Sequence, residues 1–309
     1  MDEESLSGRL YLFRGSMGFL KRVQSAFSTR RLDVKSRFEL LREAISGTMS
    51  KFYMVRDRVT GETLGLKVLD PKKTAAFEAR FKGLHKPSEG EIALGLRHPN
   101  IVRTYEHGLT TEGSQYLVME FLPGPGVHHL LLVQDPRLDG RRLRFVRQAA
   151  EAVAAVHAAG YLHRDLSPRN LMLAEGGESV KLIDFGLSIP AQPAFFQPGN
   201  RTGNPNYMAP ELVHRRQTDH RVDVFAFGVT AYEILTSHLP WPEGRTGQAA
   251  MTHDKRPFAV QRWLPDIDPT LADAIHHCIE PNVKRRYPSI EEFLRAIRNV
   301  QCEDLSAAG

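Results

Sequence analysis

Short apolar runs fill the first third of the chain, and long stretches with a 3.6-residue period fill most of the rest. FELL (38–41), KFYMVRD (51–57) and TLGLKVL (63–69) read as strands, with RVTGET joining the last two as a hairpin. TAAFEARFKGL (74–84) and EGEIALGL (89–96) read as helices, and IVRTYEHG (101–108) and QYLVMEF (115–121) as strands. LPGPG (122–126) breaks the pattern. Beyond it, LRFVRQAAEAVAAVHAAG, HRVDVFAFGVTAYEILTS, TLADAIHHCIE and SIEEFLRAIRNV are helical in period. The pattern predicts an α+β chain of two lobes, a small β-rich one and a larger helical one, with a cleft between them where a ligand is expected.

Charge matters once it is located. The 309 residues carry a net charge of +5, and residues 1–37 hold eight Lys and Arg against four acids, so most of the excess lies there. In that segment Phe19, Leu20, Val23 and Phe27 recur at helical spacing with Lys21, Arg22 and Arg30 outside them, which predicts an amphipathic helix or an arm packed on the neighbouring domain. An anionic membrane surface and the chain's own cleft are its other expected contacts. No basic face extends over the remainder, so nucleic acid is not an expected partner. No apolar run approaches the about eighteen residues of a membrane span, and the first thirty residues open acidic with no secretory pattern. Cys278 and Cys302 are too few for a disulfide framework and are not spaced as a metal pair, consistent with an expected cytoplasmic setting.

YLHRDLSPRNLML (161–173) holds Arg164, Asp165, Arg169 and Asn170 between two apolar flanks. VKLIDFG follows, so a second short strand places Asp184 fourteen residues after Asn170. Two strands would bring Asp165, Asn170 and Asp184 to one end of the large lobe. A carboxylate and an amide oxygen suit a hard cation such as Mg²⁺ beside phosphates, which leaves Asp165 free for a hydroxyl.

HRDLSPRN, IDFG and MAPE, in that order, resemble the eukaryotic-type protein kinase catalytic domain. The resemblance runs from about Phe38 to Val300. It implies an N-lobe over about 38–121 with one main helix, a hinge at about 120–124 and a C-lobe over about 125–300. Residues 1–37 are then a basic extension and 301–309 a tail. ATP and Mg²⁺ are the implied cofactors and a protein the implied substrate. Asp165 resembles the catalytic base, and Asn170 and Asp184 the metal ligands. Lys67 resembles the lysine that pairs with the α- and β-phosphates, with Glu89 or its rival Glu91 as partner. Met172 matches the floor below adenine, Met119 the residue guarding the back pocket, and Glu120 and Leu122 the hinge. Glu211 and Arg286 match a scaffold ion pair, and Asp223 a buried acid beneath the catalytic loop. The MAPE segment and its Arg partner argue against the related small-molecule phosphotransferases.

The chain departs from the family at several points. The phosphate-covering loop should read GxGxxGxV, yet ISGTMSKF (45–52) keeps only Gly47, so a pseudokinase or nucleotide-sensing scaffold is the alternative. Phe52 stands where a Val is usual and Gly65 where an Ala is usual, a paired change that keeps volume over the base. Ser167 replaces the lysine two residues after the base, and Arg169 is expected to supply the lost positive charge near the transferring phosphate. Asn204 replaces the threonine that contacts this lysine, while the rest of NPNYMAPE favours serine/threonine specificity. Asn200 takes the place of the usual loop phosphoacceptor, leaving Thr202 and Ser188 as the Ser/Thr hydroxyls between Asp184 and Gly203. Weak or no dependence on loop phosphorylation is expected.

Overall fold

A computed structural model describes residues 31–47, 49–198, 200–242 and 249–301. The amphipathic pattern from Phe19 to Phe27, and Cys302, lie outside them. A one-turn helix, α1 (Val34–Arg37), is capped by Asp33, whose carboxylate accepts from the Lys35 and Ser36 amides at 3.0 and 3.2 Å. Five antiparallel strands follow: β1 (Phe38–Ser46), β2 (Ser50–Asp57), β3 (Thr63–Leu69), β4 (Thr104–Leu109) and β5 (Gln115–Glu120), in the order β1-β2-β3-β5-β4. Alternation along β3 divides its side chains between two faces. Leu64 and Leu66 join Phe38, Val55, Tyr116 and Val118 in a small outer cluster. Leu69 faces the other way, with Leu117 and Met119, into the core that continues through the large lobe.

Between β3 and β4 lie α2 (Pro71–Glu78) and α3 (Glu89–Gly95). Asp70 caps α2 and Pro71 opens it, so this helix begins three residues before the TAAFEARFKGL pattern; it tightens into a 3-10 turn at Ala79–Phe81. Ser88 starts α3 through a capping box with Glu91. IVRTYEHG is a strand only from Thr104. Ile101 and Val102 turn to the large lobe instead, where both are buried and the Val102 amide donates to the Leu182 carbonyl at 3.0 Å.

The large lobe contains α4 (Val127–Leu132), α5 (Arg142–Ala158), the paired strands β6 (Tyr161–Leu162) with β9 (Ile189–Pro190), and β7 (Leu171–Leu173) with β8 (Val180–Leu182). It ends with α6 (Pro210–Val213), α7 (Arg221–Thr236), α8 (Pro269–Cys278) and α9 (Ile290–Ala296). α4 and α6 escaped the periodicity reading because one turn or two cannot display a period. α7 is buried on all sides, as an apolar helix without a polar face should be, with α5 and α8 packed on it and α9 on α5. The joint at LPGPG lies flat on β7: a Cβ on Gly124 would stand 2.4 Å from the Leu173 carbonyl oxygen. No helix among the described residues is long and apolar enough to cross a membrane.

Candidate active site

The loop after β6 is held from below. Asp223, in the first turn of α7, accepts the His163 and Arg164 amides at 2.7 and 2.9 Å and lies 3.0 Å from His157 Nε2. Burial opposes its charge, but these donors and the nearby histidines bring its pKa below the ordinary carboxylate value. Arg164 takes a positive φ of 67°, a backbone state that costs on the order of 1 kcal/mol or more and persists because its surroundings over-determine it. Next in the chain, Asp165 receives Asn170 Nδ2 at 3.0 Å on Oδ2, and the same amide nitrogen donates to the Asp165 carbonyl at 2.6 Å. Burial raises the Asp165 pKa, and Asp184 adds to the rise against His163, Asn170 and the Asn204 amide.

β7 and β8 bring Asp184 to the same end of the lobe. It too has a positive φ, 65°, and its Oδ1 accepts Lys67 Nζ at 2.8 Å and the Gly186 amide at 3.0 Å. Its side chain is 43% exposed, whereas those of Lys67 and Glu89 are 8% and 7% exposed. Lys67 Nζ also lies 2.5 Å from Glu89 Oε1 within the small lobe, and its contact with Asp184 bridges the two lobes. Burial works against the ammonium, but Asp184 and Glu89 together raise its pKa, keeping it charged. Desolvation against Lys67, with Asp184 adding, raises that of Glu89. Of the two acids left open by the sequence, Glu89 meets Lys67, while Glu91 is engaged in the capping box, accepting the Ser88 amide at 2.7 Å.

The upper wall is apolar. Phe52 packs against the main core, and a Cβ on Gly65 would stand 2.7 Å from its Cζ and 3.1 Å from Met119 Cγ. Phe52, Gly65 and Met119 therefore interlock. Met172 packs half-buried against the same core, and Leu122 is buried. The Glu120 carboxylate is engaged by Lys181 Nζ at 2.6 and 2.8 Å and by the Arg103 amide at 2.7 Å. Gly47 closes the β1–β2 turn, its amide donating to the Ser50 carbonyl at 2.9 Å. Met49 packs on the core, and its carbonyl accepts the Asp70 amide at 2.9 Å, tying this turn to the end of β3.

The segment from Asp184 to Glu211 is fastened without a phosphate. The buried Arg164 guanidinium donates to the Asn200 carbonyl. Burial lowers the Arg164 pKa to about 10, opposed by Asp223 and assisted by Arg80. Thr202 Oγ1 is buried with no hydrogen-bond partner among the described residues, and Ser188 is fully buried, its hydroxyl 3.4 Å from the His163 carbonyl. Gly203 (φ +113°) lets the chain pass the loop after β6: a Cβ there would lie 2.8 Å from the Arg164 carbonyl oxygen. Asn204 Oδ1 accepts the Asn206 amide at 3.1 Å, and no hydrogen bond joins it to the buried Ser167 among the described residues. Phe195 reaches Phe81, ring centroids 5.7 Å apart. Arg286 donates to both Glu211 oxygens, at 2.7 and 3.1 Å, closing the segment.

Arg169 lies apart from this charge cluster. It is exposed on the 3-10 turn Pro168–Asn170, forms no ion pair among the described residues, and its charge is felt at His128 on α4. Gly203 and the Phe81–Phe195 contact escaped the sequence reading. The glycine's signal was available, since it directly precedes the altered Asn204; the ring contact spans 114 positions and left no local sign.

Residues 38–296 match the protein kinase domain family, and the chain belongs to it. It is 31% identical over 274 residues to serine/threonine-protein kinase pkn3 of Myxococcus xanthus, covering 83% of this chain and 48% of that protein. It is 35% identical over 239 residues to the hormonally up-regulated neu tumor-associated kinase homolog A of Xenopus laevis, covering 76% of this chain and 34% of that one. The hormonally up-regulated neu tumor-associated kinase of Homo sapiens is 38% identical over 185 residues, 59% of this chain and 25% of its own length. The chain thus spans half or less of the length of these relatives.

Proposed function

We propose that this chain transfers the γ-phosphoryl group of ATP to a serine or threonine hydroxyl of a protein, with Mg²⁺. The observation that carries the reading is the bridge from Glu89 through Lys67 to Asp184, beside an Asp165 carboxylate held by Asn170. In a loose phosphoryl-transfer transition state the protein mainly aligns reactants and neutralises charge, and this set suits both tasks. Asp165 holds the acceptor hydroxyl in line and takes its proton. Lys67, kept charged, neutralises phosphate oxygens. Phe52, Met119 and Met172 provide the apolar slot for a base, and among the described residues the Leu122 amide donates to no backbone carbonyl, which leaves it for the adenine.

The residues present fit Mg²⁺. Asp184 Oδ2 and the Asn170 amide oxygen take no hydrogen bond from any described residue, while their sister atoms are occupied. No cluster of three or more acidic, His or Cys side chains is arranged for a metal among the described residues, so an ion would rest on these two oxygens, phosphates and water, as Mg²⁺ tolerates. When bound it would neutralise charge on the phosphate oxygens. Serine/threonine specificity and a cytoplasmic setting are part of this proposal. The first draws support from the NPNYMAPE segment and from the names of the relatives.

A second reading, a nucleotide-binding scaffold with little transfer, is favoured by the phosphate-covering turn, which keeps one glycine and is anchored through Met49 and Asp70. Radiolabel transfer from ATP to a generic protein substrate separates the two. Loss of label by at least about a hundredfold in Asp184→Asn supports transfer; equal labelling by both chains supports the scaffold.

A further inference from the structure

The chain between α7 and α8 carries a stack of flat side chains that the phosphotransfer reading does not use. A 3-10 turn, Val260–Arg262, is anchored from beneath by the fully buried Val260, by Leu264, and by the Trp263 indole, which donates to the Tyr232 hydroxyl on α7 at 3.0 Å. From this fixed turn the Arg262 guanidinium lies over two rings, its Cζ 4.5 Å from the Phe258 centroid and 5.2 Å from that of Trp263. The Trp263 ring stacks in turn on His238, with centroids 3.6 Å apart and planes 5° from parallel. Arg262 and His238 are exposed, and Phe258 and Trp263 are half-buried. α7 rises about 1.5 Å per residue, so its far end, beside His238, stands about 20 Å from Asp223 beneath the transfer site.

The chemistry left over is that of an anion receptor. Arg262 makes no hydrogen bond or ion pair among the described residues, whereas Arg137 and Arg295, also exposed, are each engaged by a carboxylate at 2.7 Å. Rings against a guanidinium face hold its plane and leave its edge donors open, the geometry that takes a carboxylate in two-pronged fashion. That ordering is complete before a partner arrives, which lowers the cost of binding. KRPFAVQRW (255–263) holds three cations and no acid, and Lys255 and Arg256 are exposed. Of the acids that flank it, Asp254 lies 2.5 Å from His214 Nε2, Asp268 caps α8, and Asp266 makes no ion pair with Arg262. Half-buried tryptophan and arginine are also the residue types that anchor protein interfaces.

We propose that Arg262, backed by Phe258 and Trp263 and flanked by Lys255 and Arg256, forms a docking surface for an acidic segment of a protein partner, remote from the transfer site. One carboxylate of the partner meets the edge of the Arg262 guanidinium, and its neighbours meet the two flanking cations. A basic segment would meet like charge there. The surface adds to the phosphotransfer reading and does not rest on it.

The test uses the full chain and a fluorescein-labelled peptide of alternating Glu and Gly, with its Gln and Lys counterparts and a labelled oligothymidylate as comparisons. Binding is read by fluorescence anisotropy. The Glu peptide should bind about tenfold or more tighter than the Gln peptide, and the Lys peptide should bind weakest. Arg262→Gln should weaken the Glu peptide about three- to tenfold. Arg262→Lys keeps the charge but loses the stacked fork, so it should also weaken binding, and Phe258→Leu should do so by removing one ring. Arg58→Gln, which removes an exposed charge in the β2–β3 turn, should leave binding unchanged, and thermal melts confirm that each variant folds. Equal affinity for the Glu and Gln peptides overturns the proposal. So does an Arg262→Gln chain that binds the Glu peptide as the parent does, or a loss in Arg58→Gln as large as in Arg262→Gln, which would mean attraction by overall charge. Tighter binding of the oligothymidylate than of the Glu peptide, lost in Arg262→Gln, would assign the surface to nucleic acid and overturn the acidic-protein reading.

Discussion

The two walls of the cleft are built by different physics. The lower wall, from β6 to Asp184, is polar, and its key backbone amides and carboxylates are fixed by hydrogen bonds: two amides and a histidine on Asp223, an amide nitrogen on Asp165, an ammonium and an amide on Asp184. The upper wall, on β2, β3 and β5, is held by shape, with Phe52, the empty side of Gly65 and Met119 in interlock, while Lys67 and Glu120 link it by ion pairs to the lobe below. Hydrogen-bond geometry tolerates few substitutions, so a polar wall keeps its residues. Packing tolerates paired volume changes, so an apolar wall can drift while keeping its form.

If the lower wall is held as described, removing its buried support should have the largest effect. Asp223→Ala leaves the His163 and Arg164 amides unpaired in the interior and should destabilise the chain by about 3–5 kcal/mol, measured by denaturant unfolding. A loss under about 1 kcal/mol would mean the loop is held otherwise. The sign with pH follows from the depressed Asp223 pKa: its stabilisation is present above the ordinary carboxylate value near pH 4 and is lost as pH falls through the folded value.

Asp165 should behave in the opposite sense. Its pKa is raised, so the acid limb of the transfer rate should lie above the ordinary carboxylate value, with activity lost as pH falls and the base is protonated. Asp165→Asn should lower kcat by about 10²–10⁴-fold and abolish that limb. A limb that persists in the variant would assign it to another group.

The same contrast governs what could be read from the chain. Asp165, Asn170 and Asp184 were legible because polar residues between apolar flanks are costly unless used, and the two short strands meant to carry the last two are β7 and β8. The long helices were legible too, since α5 repeats its period over four turns and α7 is a mostly apolar run too long for a strand. Contacts between distant segments were hidden. Nothing local marks that Ile101 and Val102 leave the strand for Leu182 or that Phe81 meets Phe195. Arg169 was visible as a residue, but that its charge is felt at His128 depends on α4, a helix too short to announce itself.

The upper wall's interlock can be opened one piece at a time. Gly65→Ala drives a methyl to 2.7 Å from the Phe52 ring and should weaken ATP binding about tenfold, with about 1–3 kcal/mol of lost stability, measured by calorimetric titration and thermal unfolding. Phe52→Val in the same chain should restore most of both, because it returns the volume that the alanine takes. Additive losses in the double variant would show that the two positions do not share one space.

The smallest effect is expected where a polar atom of the lower region has no partner. Thr202 is one of two Ser/Thr hydroxyls between Asp184 and Gly203, and its oxygen is buried with no hydrogen bond among the described residues, while Arg164 already grips the Asn200 carbonyl. Removing an unsatisfied hydroxyl loses no hydrogen bond and relieves a desolvation cost, so Thr202→Ala should match or exceed the parent's stability by up to about 1 kcal/mol. Transfer should stay within about twofold, because the segment's anchorage on Arg164 involves no phosphate. Full inactivation of Thr202→Ala with an unchanged melting temperature would show that this threonine must be modified for activity, and that the Asn200 contact does not replace a phosphate.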